Sequence, residues 1–144
     1  SKPPKLGHGW GHISFSHCSD SLLIGWSPHK IGIDLERTDR SLNSRLLAKR
    51  YLSDQERQLI EEFNPNNHRE ELLKQWVIKE ACIKWQRGLI SKDLSHWIYC
   101  DKSKTCQHEI DKTTLNIYIS TYIYWQIAIA SKSSVKNDNM IICR

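Results

Sequence analysis

Short runs of strand-forming residues occupy the first quarter of the chain. They predict three β-strands separated by polar turn residues, at 12–16, 22–26 and 30–36. In the third run every second residue is aliphatic, and the intervening positions are Gly32, Asp34 and Glu36. The period of two places both carboxylates on one face of this strand and the aliphatic side chains on the other.

The middle of the chain changes to helical periodicity. Apolar positions between 41 and 51 predict one helix, and Ser53 followed by Glu56 is a capping box that predicts the start of a second. After an Asn-Pro break, a longer helix is predicted over about 68–87, with Gly88 as its C-cap.

The last third returns to strand character. Three further strands are predicted at 97–100, 115–121 and 124–130, and the last two form a hairpin. We therefore expect an α+β fold in which the long helix packs on a small antiparallel sheet. This domain is expected to cover residues 1–131, followed by a polar C-terminal tail at 132–144.

Composition narrows the class of protein. The chain has 144 residues, of which 39% are hydrophobic, which is enough for one modest core. No apolar run approaches the roughly 20 residues that span a bilayer, so no membrane association is expected. Five cysteines without a C-x-x-C pair and without a secretory signal indicate reduced thiols and a cytoplasmic location. The net charge of +5 favours an acidic partner.

Three carboxylates form the candidate site. Asp34 and Glu36 share a strand face, and Glu80 lies in the middle of the helix that is expected to cross the sheet. A set of carboxylates without Cys or His is typical of a Mg²⁺ site. Lys84 follows Glu80 by one helical turn and can hold a phosphate beside the metal. Each pattern alone is common in surface ion pairs, so the hypothesis depends on their combination.

That combination resembles the paired signature of the phosphopantetheinyl transferase superfamily. The two main segments are 31–36 and 76–84, and a Tyr-Leu-Ser-Asp-Gln-Glu segment at 51–56 lies between them. The Phe-Ser-His-Cys segment at 15–18 resembles the Ser-His segment of the family. Lys2-Pro3 resembles the Lys-Pro of its Sfp-type members. Order and spacing agree along nearly the whole chain.

The resemblance implies an activity, a cofactor and a set of site residues. A 4′-phosphopantetheinyl transferase-like half-domain would move the 4′-phosphopantetheine of coenzyme A to a serine of an acyl or peptidyl carrier protein, releasing 3′,5′-ADP. The chain would then be a holo-[acyl-carrier-protein] synthase serving fatty acid, polyketide or nonribosomal peptide synthesis. The implied residues are Asp34, Glu36 and Glu80 for Mg²⁺, Lys84 and Lys2 for the phosphates, Ser16 and His17 for the nucleotide, and Glu56 as general base.

The resemblance also leaves the assembly of the protein open. Sfp-type enzymes have two similar halves with the active site between them, and this chain corresponds to the C-terminal half. We expect either a missing N-terminal half or self-association that rebuilds the cleft. The segment 42–51 is a candidate dock for an acidic carrier-protein helix, or equally a helix of the chain's own core.

Two other functions compete with transfer. One is an inactive or incomplete fragment that only binds coenzyme A or a carrier protein. A less favoured one is a basic nucleic-acid-binding module, which the six Trp would suit. The basic residues are dispersed among 16 acidic ones, however, so no nucleic-acid partner is expected.

Overall fold

The computed structural model describes residues 4–41, 44–62 and 67–135. The described strands are β1 (His12–Cys18), β2 (Ser21–Ser27), β3 (Ile31–Arg37), β4 (Trp97–Cys100), β5 (Thr105–His108), β6 (Thr114–Tyr122) and β7 (Trp125–Ser131). The described helices are α1 (Ser44–Tyr51), α2 (Asp54–Glu62), α3 (His68–Gln86) and α4 (Ile90–Asp93), and a 3₁₀ turn follows at Leu94–His96. This content is α+β, as the sequence predicts.

The strands form two antiparallel sheets. β1 and β2 make a two-stranded hairpin, and the other five strands make a sheet in the order β3-β7-β6-β5-β4. β3 is an edge strand of the larger sheet, where Asp34 pairs with Ala128 of β7. The predicted β6–β7 hairpin is confirmed.

The hairpin lies against the free edge of β3 through serine side chains. Ser14 Oγ accepts the Ile33 N–H at 3.2 Å, and Ser16 Oγ accepts the Leu35 N–H at 3.1 Å. These hydroxyls satisfy backbone donors that would otherwise be unpaired at a covered sheet edge. Ser16 is thereby held next to Asp34.

Helix α3 packs across the larger sheet and forms the main core with it. The contact with β3 is so close that a Cβ atom at Gly32 would lie 2.0 Å from the Ala81 carbonyl oxygen. Only glycine fits there, because any larger residue would force the helix away from the strand. The buried core residues include Val77, Ile78, Ala81, Cys82, Trp97, Leu115, Ala128 and Ala130.

A second, smaller cluster joins α1 and α2 to the start of α3. Leu52, Ile60 and Leu72 are its buried members. The predicted capping box is confirmed, because Ser53 N–H donates to Glu56 Oε2 at 2.8 Å and Glu56 N–H donates to Ser53 Oγ at 3.3 Å. The box starts α2 and fixes the direction of the Glu56 carboxylate.

One prediction about local structure was wrong, and three elements were missed. The left-handed residue that ends α3 is Arg87, at φ 63°, and not Gly88. A Cβ at Gly88 would lie 2.5 Å from Asp93 Oδ2, which accepts the Leu89 N–H, so a larger residue there would have to shift the Asp93 side chain. Strand β5 was not predicted, because it has no aliphatic residue and no Phe, Tyr or Trp, whereas β4, of the same length, has three such residues. Helix α4 and the 3₁₀ turn that follows it were not predicted either.

The other predicted elements agree with the structure within a few residues at each end. β7 ends at Ser131, and the division between a domain at 1–131 and a tail at 132–144 stays a prediction. Within the described ranges, no helix is long and apolar enough to cross a membrane.

Candidate functional site

Asp34 is the centre of the site. Its side chain is buried, and Oδ1 accepts hydrogen bonds from Ser16 Oγ at 2.7 Å and from Lys84 Nζ at 2.6 Å. Lys84 comes from α3, fifty residues further along the chain. The contact forms because Gly32 lets α3 approach β3 closely. Ser16, Asp34 and Lys84 are therefore a bonded group drawn from three elements.

Two further carboxylates surround this group. Glu36 is mostly buried at the end of β3 and forms an ion pair with Arg40, four residues later. Glu80 lies on α3, one turn before Lys84. Burial and the negative charges of Asp34 and Glu36 raise the pKa of Glu80 to about 7, against the opposing effect of Lys84 and Arg40. The three carboxylates are thus close enough to repel one another.

The donor set suits a hard divalent cation. Asp34 Oδ2 is buried and accepts no hydrogen bond from the described residues, so one carboxylate oxygen is still available as a ligand. A cation would relieve the repulsion from Asp34 and Glu36, which adds to the effect of burial on the pKa of Glu80. Lys84 and Arg40 neutralise part of the negative charge of the three carboxylates. Among the described residues, no three His, Cys, Asp or Glu side chains are already spaced around a common metal position.

Open cavities lie on both sides of the carboxylates. One, of about 430 Å³, is lined by Glu80, Lys84 and residues 12–15 at the start of β1. The other, of about 640 Å³, is lined by Glu36, Arg40 and the exposed His17 at the end of β1. A ligand bound at the carboxylates can therefore extend in either direction along β1.

Glu56 lies in a different environment from Asp34 and Glu80. It is buried, and Oε2 accepts a hydrogen bond from Lys79 Nζ at 2.7 Å in addition to those of the capping box. Lys79 itself is fully buried. Glu56 Oε1 is also buried and has no partner among the described residues. The expected role of Glu56 as a general base is not tested by these contacts and stays a prediction.

The remaining expected phosphate ligand, Lys2, lies outside the described residues. The same is true of Leu42 and Asn43 in the expected carrier-protein dock. In the described part of that dock, Leu46 is exposed, whereas Leu47 packs against the α1–α2 cluster.

Comparison with known families decides which chemistry this arrangement belongs to. Residues 30–138 match the 4'-phosphopantetheinyl transferase superfamily. The chain belongs to this superfamily. The match covers most of the chain and includes Asp34, Glu36, Glu56, Glu80 and Lys84. No curated protein is similar enough to the chain to count as a match.

Membership of the phosphopantetheinyl transferase superfamily supports the coarse assignment of function. The chain is a transferase of this kind, with coenzyme A and a carrier protein as its general partners. The matched range begins at Lys30, so it does not include the Ser-His segment at 15–18. For Ser16 and His17 the family roles remain expectations, although Ser16 is bonded to Asp34.

Two charged residues of this phosphopantetheinyl transferase were missed by sequence reasoning. Arg40 pairs with Glu36, and a basic residue four positions after a strand carboxylate has no distinctive signal. Lys79 lies within the motif segment 76–84, but its spacing predicts no role. Its buried pairing with Glu56 across 23 residues depends on how α2 packs on α3.

Proposed function

We propose that this chain catalyses Mg²⁺-dependent transfer of 4′-phosphopantetheine from coenzyme A to a carrier-protein serine, as a holo-[acyl-carrier-protein] synthase. The observation that carries the proposal is the buried Asp34, with one oxygen held by Ser16 and Lys84 and the other without a partner. It lies next to Glu80, whose pKa is raised by burial and by the negative charges of Asp34 and Glu36. Carboxylates beside a lysine suit a divalent cation together with a diphosphate that binds to the cation.

The transfer exchanges one phosphorus–oxygen bond for another. The serine oxygen of the carrier protein bonds to the β-phosphorus, the bond from that phosphorus to the bridging oxygen breaks, and 3′,5′-ADP leaves. The serine proton passes to a carboxylate base, for which Glu56 is the candidate from family resemblance. Asp34, Glu36 and Glu80 would hold Mg²⁺, which supplies charge neutralisation at the diphosphate when bound. Lys84 would orient a phosphate oxygen.

We also propose that the enzyme is of the Sfp type, with a second domain of the same fold on the outer face of the hairpin. That face is apolar and exposed along β2 at Leu22, Ile24 and Trp26. Phe15 and His17 of β1 lie on the same face, because they pair with Ile24 and Leu22 of β2. A domain placed there would cover the cavity that His17 shares with Glu36 and so complete the nucleotide side of the cleft.

The carrier protein is proposed to dock on α1. Leu46 is exposed by 65%, and the exposed Lys49 lies on the same helix, which fits an acidic amphipathic helix with an apolar ridge. Cys18, Cys82, Cys100 and Cys106 are free thiols, and we propose the reducing cytoplasm as the location.

Intact-mass spectrometry of an apo carrier protein tests the proposed function. Incubation with this chain, coenzyme A and Mg²⁺ should add one phosphopantetheine, and EDTA should prevent the addition. Asp34→Asn should lower the rate roughly 100-fold or more, because it removes a charged ligand from the centre of the site. The matched control is Asp39→Asn, since Asp39 is exposed and pairs only with Arg37 among the described residues.

The same assay separates transfer from the alternative of an inactive fragment. Binding of coenzyme A by calorimetry, with no mass gain even when a second half-domain is supplied, would favour the fragment. Equal rates for Asp34→Asn and wild type would rule out the proposed metal site.

A further inference from the structure

Two lysines lie near the ring of one tryptophan at the end of α3, and the positive charge of an arginine acts on one of them. We call this group the Trp85 cluster, and it consists of Lys30, Trp85, Arg87 and Lys132. Lys30 Nζ lies 4.2 Å from the centre of the Trp85 ring, and Lys132 Nζ lies 5.7 Å from it. The ring is fixed in place because Trp85 Nε1 donates to the Lys30 carbonyl oxygen at 3.0 Å.

The cluster concentrates positive charge without a matching carboxylate. Partial burial and the positive charges of Arg87 and Lys132 lower the pKa of Lys30. Within the described ranges, none of the three cations forms an ion pair. Like charges held together on a rigid ring are unfavourable unless an anion binds between them. The arrangement therefore points to an anionic ligand.

A cavity connects the cluster to the carboxylate site. Lys30 and Arg87 line the same space of about 430 Å³ as Glu80 and Lys84. Besides the polar His12 and Ser14, the cavity is lined by the apolar side chains of Ile13, Phe15, Ile31, Ile83 and Ile90. A ligand with its phosphate at Lys84 can thus run past apolar side chains and end at the cluster.

The direction of coenzyme A in the cleft identifies which end reaches the cluster. The proposed nucleotide contact, His17, lies at the opposite end of β1 and lines the other cavity. With the diphosphate at the carboxylates, the pantetheine arm would then enter the cavity that leads to Lys30. The free end of that arm is a thiol in coenzyme A itself and an acyl group in its thioesters.

Resting on the function proposed above, we propose that the Trp85 cluster binds a carboxylate at the end of the acyl arm. Coenzyme A derivatives with a carboxylate-bearing acyl group are then favoured substrates over neutral ones of the same size. Guanidinium and ammonium groups form strong charge-assisted hydrogen bonds to carboxylates. Because Lys30 is partly buried and lines a cavity, a narrow chain suits the cluster better than the surface of a protein.

Two stable thioethers of coenzyme A test this preference. S-(2-carboxyethyl)-coenzyme A and S-(2-carbamoylethyl)-coenzyme A have the same length and differ in charge. The ratio of their kcat/KM values for transfer to an apo carrier protein should be about tenfold or more in favour of the carboxylate, equivalent to about 1.4 kcal/mol. The ratio should fall to about one in the double variant Lys30→Met/Lys132→Met. Lys92→Met/Lys102→Met removes the same charge from exposed positions and should keep the preference.

The other outcomes each identify a different cause. Equal kcat/KM values for the two thioethers in the wild-type chain overturn the proposal. A rise in KM for the carrier protein in Lys30→Met/Lys132→Met, with the thioether ratio unchanged, would assign the cluster to an acidic partner and overturn the proposal. A loss of affinity for coenzyme A that is absent with 3′-dephospho-coenzyme A would also overturn the proposal, since the cluster would then bind the 3′-phosphate.

Failure of the proposed function gives a separate result. If no derivative is transferred, the function is wrong for this chain, but calorimetric binding of the two thioethers still measures the preference. A tighter Kd for the carboxylate, lost in Lys30→Met/Lys132→Met, retains the binding site without the reaction. Equal Kd values for the two thioethers would rule out both the reaction and the proposed carboxylate-binding site.

Discussion

Lys79 and Glu80 are neighbours on α3 and take part in different interactions. Lys79 is fully buried and pairs with Glu56, whereas Glu80 lies beside Asp34 and Glu36. Adjacent residues of a helix point about 100° apart, so a single turn can contribute to the core and to the site. The pair formed by Lys79 and Glu56 connects α3 to α2 next to the proposed metal ligands.

Removing one member of this pair should be costly. Lys79→Met leaves the Glu56 carboxylate buried without its partner, and we expect a loss of about 3–5 kcal/mol in the free energy of unfolding. The double variant Lys79→Met/Glu56→Gln should recover part of that loss, because the uncompensated charge is gone. Urea denaturation measures both. Lys74→Met is the matched control, since Lys74 is partly exposed and its ion pairs with Glu71 and with the exposed Asp101 should contribute about 0–1 kcal/mol each.

Glu56→Gln also examines the proposed role as general base. If Glu56 only supports the fold, transfer should recover in Lys79→Met/Glu56→Gln to the extent that stability recovers. If Glu56 accepts the serine proton, transfer should stay low in that double variant although the free energy of unfolding improves. Comparison of kcat with the urea midpoint distinguishes the two roles.

The raised pKa of Glu80 makes stability depend on pH. Between its usual value of 4.5 and about 7, the folded chain binds more protons at Glu80 than the unfolded chain does. This contribution to stability is therefore present below about pH 4.5 and is lost as the pH rises through 7. In EDTA, the Tm of the wild-type chain should fall more between pH 5.5 and pH 8 than that of Glu80→Gln. Glu70→Gln, an exposed change on the same helix, should follow the wild type.

At the scale of elements, the contact between β3 and α3 decides whether a site exists. Gly32 allows the helix backbone at Ala81 and Trp85 to touch the strand, and this approach brings Lys84 to Asp34. The sequence motif includes Gly32, but the reason why this position needs a glycine is seen only in the packing of α3 on β3.

Gly32→Ala should therefore damage both stability and the site. The added Cβ would lie 2.4 Å from the Trp85 nitrogen, and relief of that clash requires the helix to move away from the strand. We expect a loss of about 3 kcal/mol in the free energy of unfolding and a large loss of transfer. Gly7→Ala is the control, because its Cβ would make an ordinary contact of 3.5 Å with Trp10. An unchanged urea midpoint for Gly32→Ala would contradict this account of the helix–strand contact.

At the scale of the whole molecule, the outer face of the β1–β2 hairpin is the main unexplained surface among the described residues. Leu22 is exposed by 62%, Ile24 by 56% and Trp26 by 63%, all on one face of β2. Contiguous exposed apolar side chains of this kind mark an interaction surface. A two-stranded sheet with one face uncovered has little stability of its own.

In a solution of this chain alone, the available domain of the same fold is a second copy. We expect the mass measured by light scattering to rise with concentration in the micromolar range, and Leu22→Lys/Ile24→Lys to keep the chain monomeric. Ile110→Lys is the control, because Ile110 is equally exposed but lies in the turn after β5. A wild-type chain that stays monomeric at all concentrations would argue against covering of this face by a second copy.

Local pattern was sufficient for most of the fold. Short runs between polar turn residues predicted β1 and β2, the period of two predicted β3, the Asn-Pro break preceded the predicted α3, and the capping box predicted the start of α2. These features depend on residues a few positions apart, so they can be read without knowing the rest of the molecule. The exceptions are β5, α4 with the 3₁₀ turn after it, and the end of α3 at Arg87, where the residues give no distinctive local signal.

The sequence by itself also determined which chemistry the chain can support. Two carboxylates alternate along one strand, and a carboxylate and a lysine lie one turn apart on a helix, which is enough to predict the candidate site and to indicate the family. Only the tertiary structure decided the partners: Lys84 for Asp34, Arg40 for Glu36 and Lys79 for Glu56. Backbone periodicity sets the direction of a side chain from its own element, whereas its partner across 23 or fifty residues is set by how closely the elements pack.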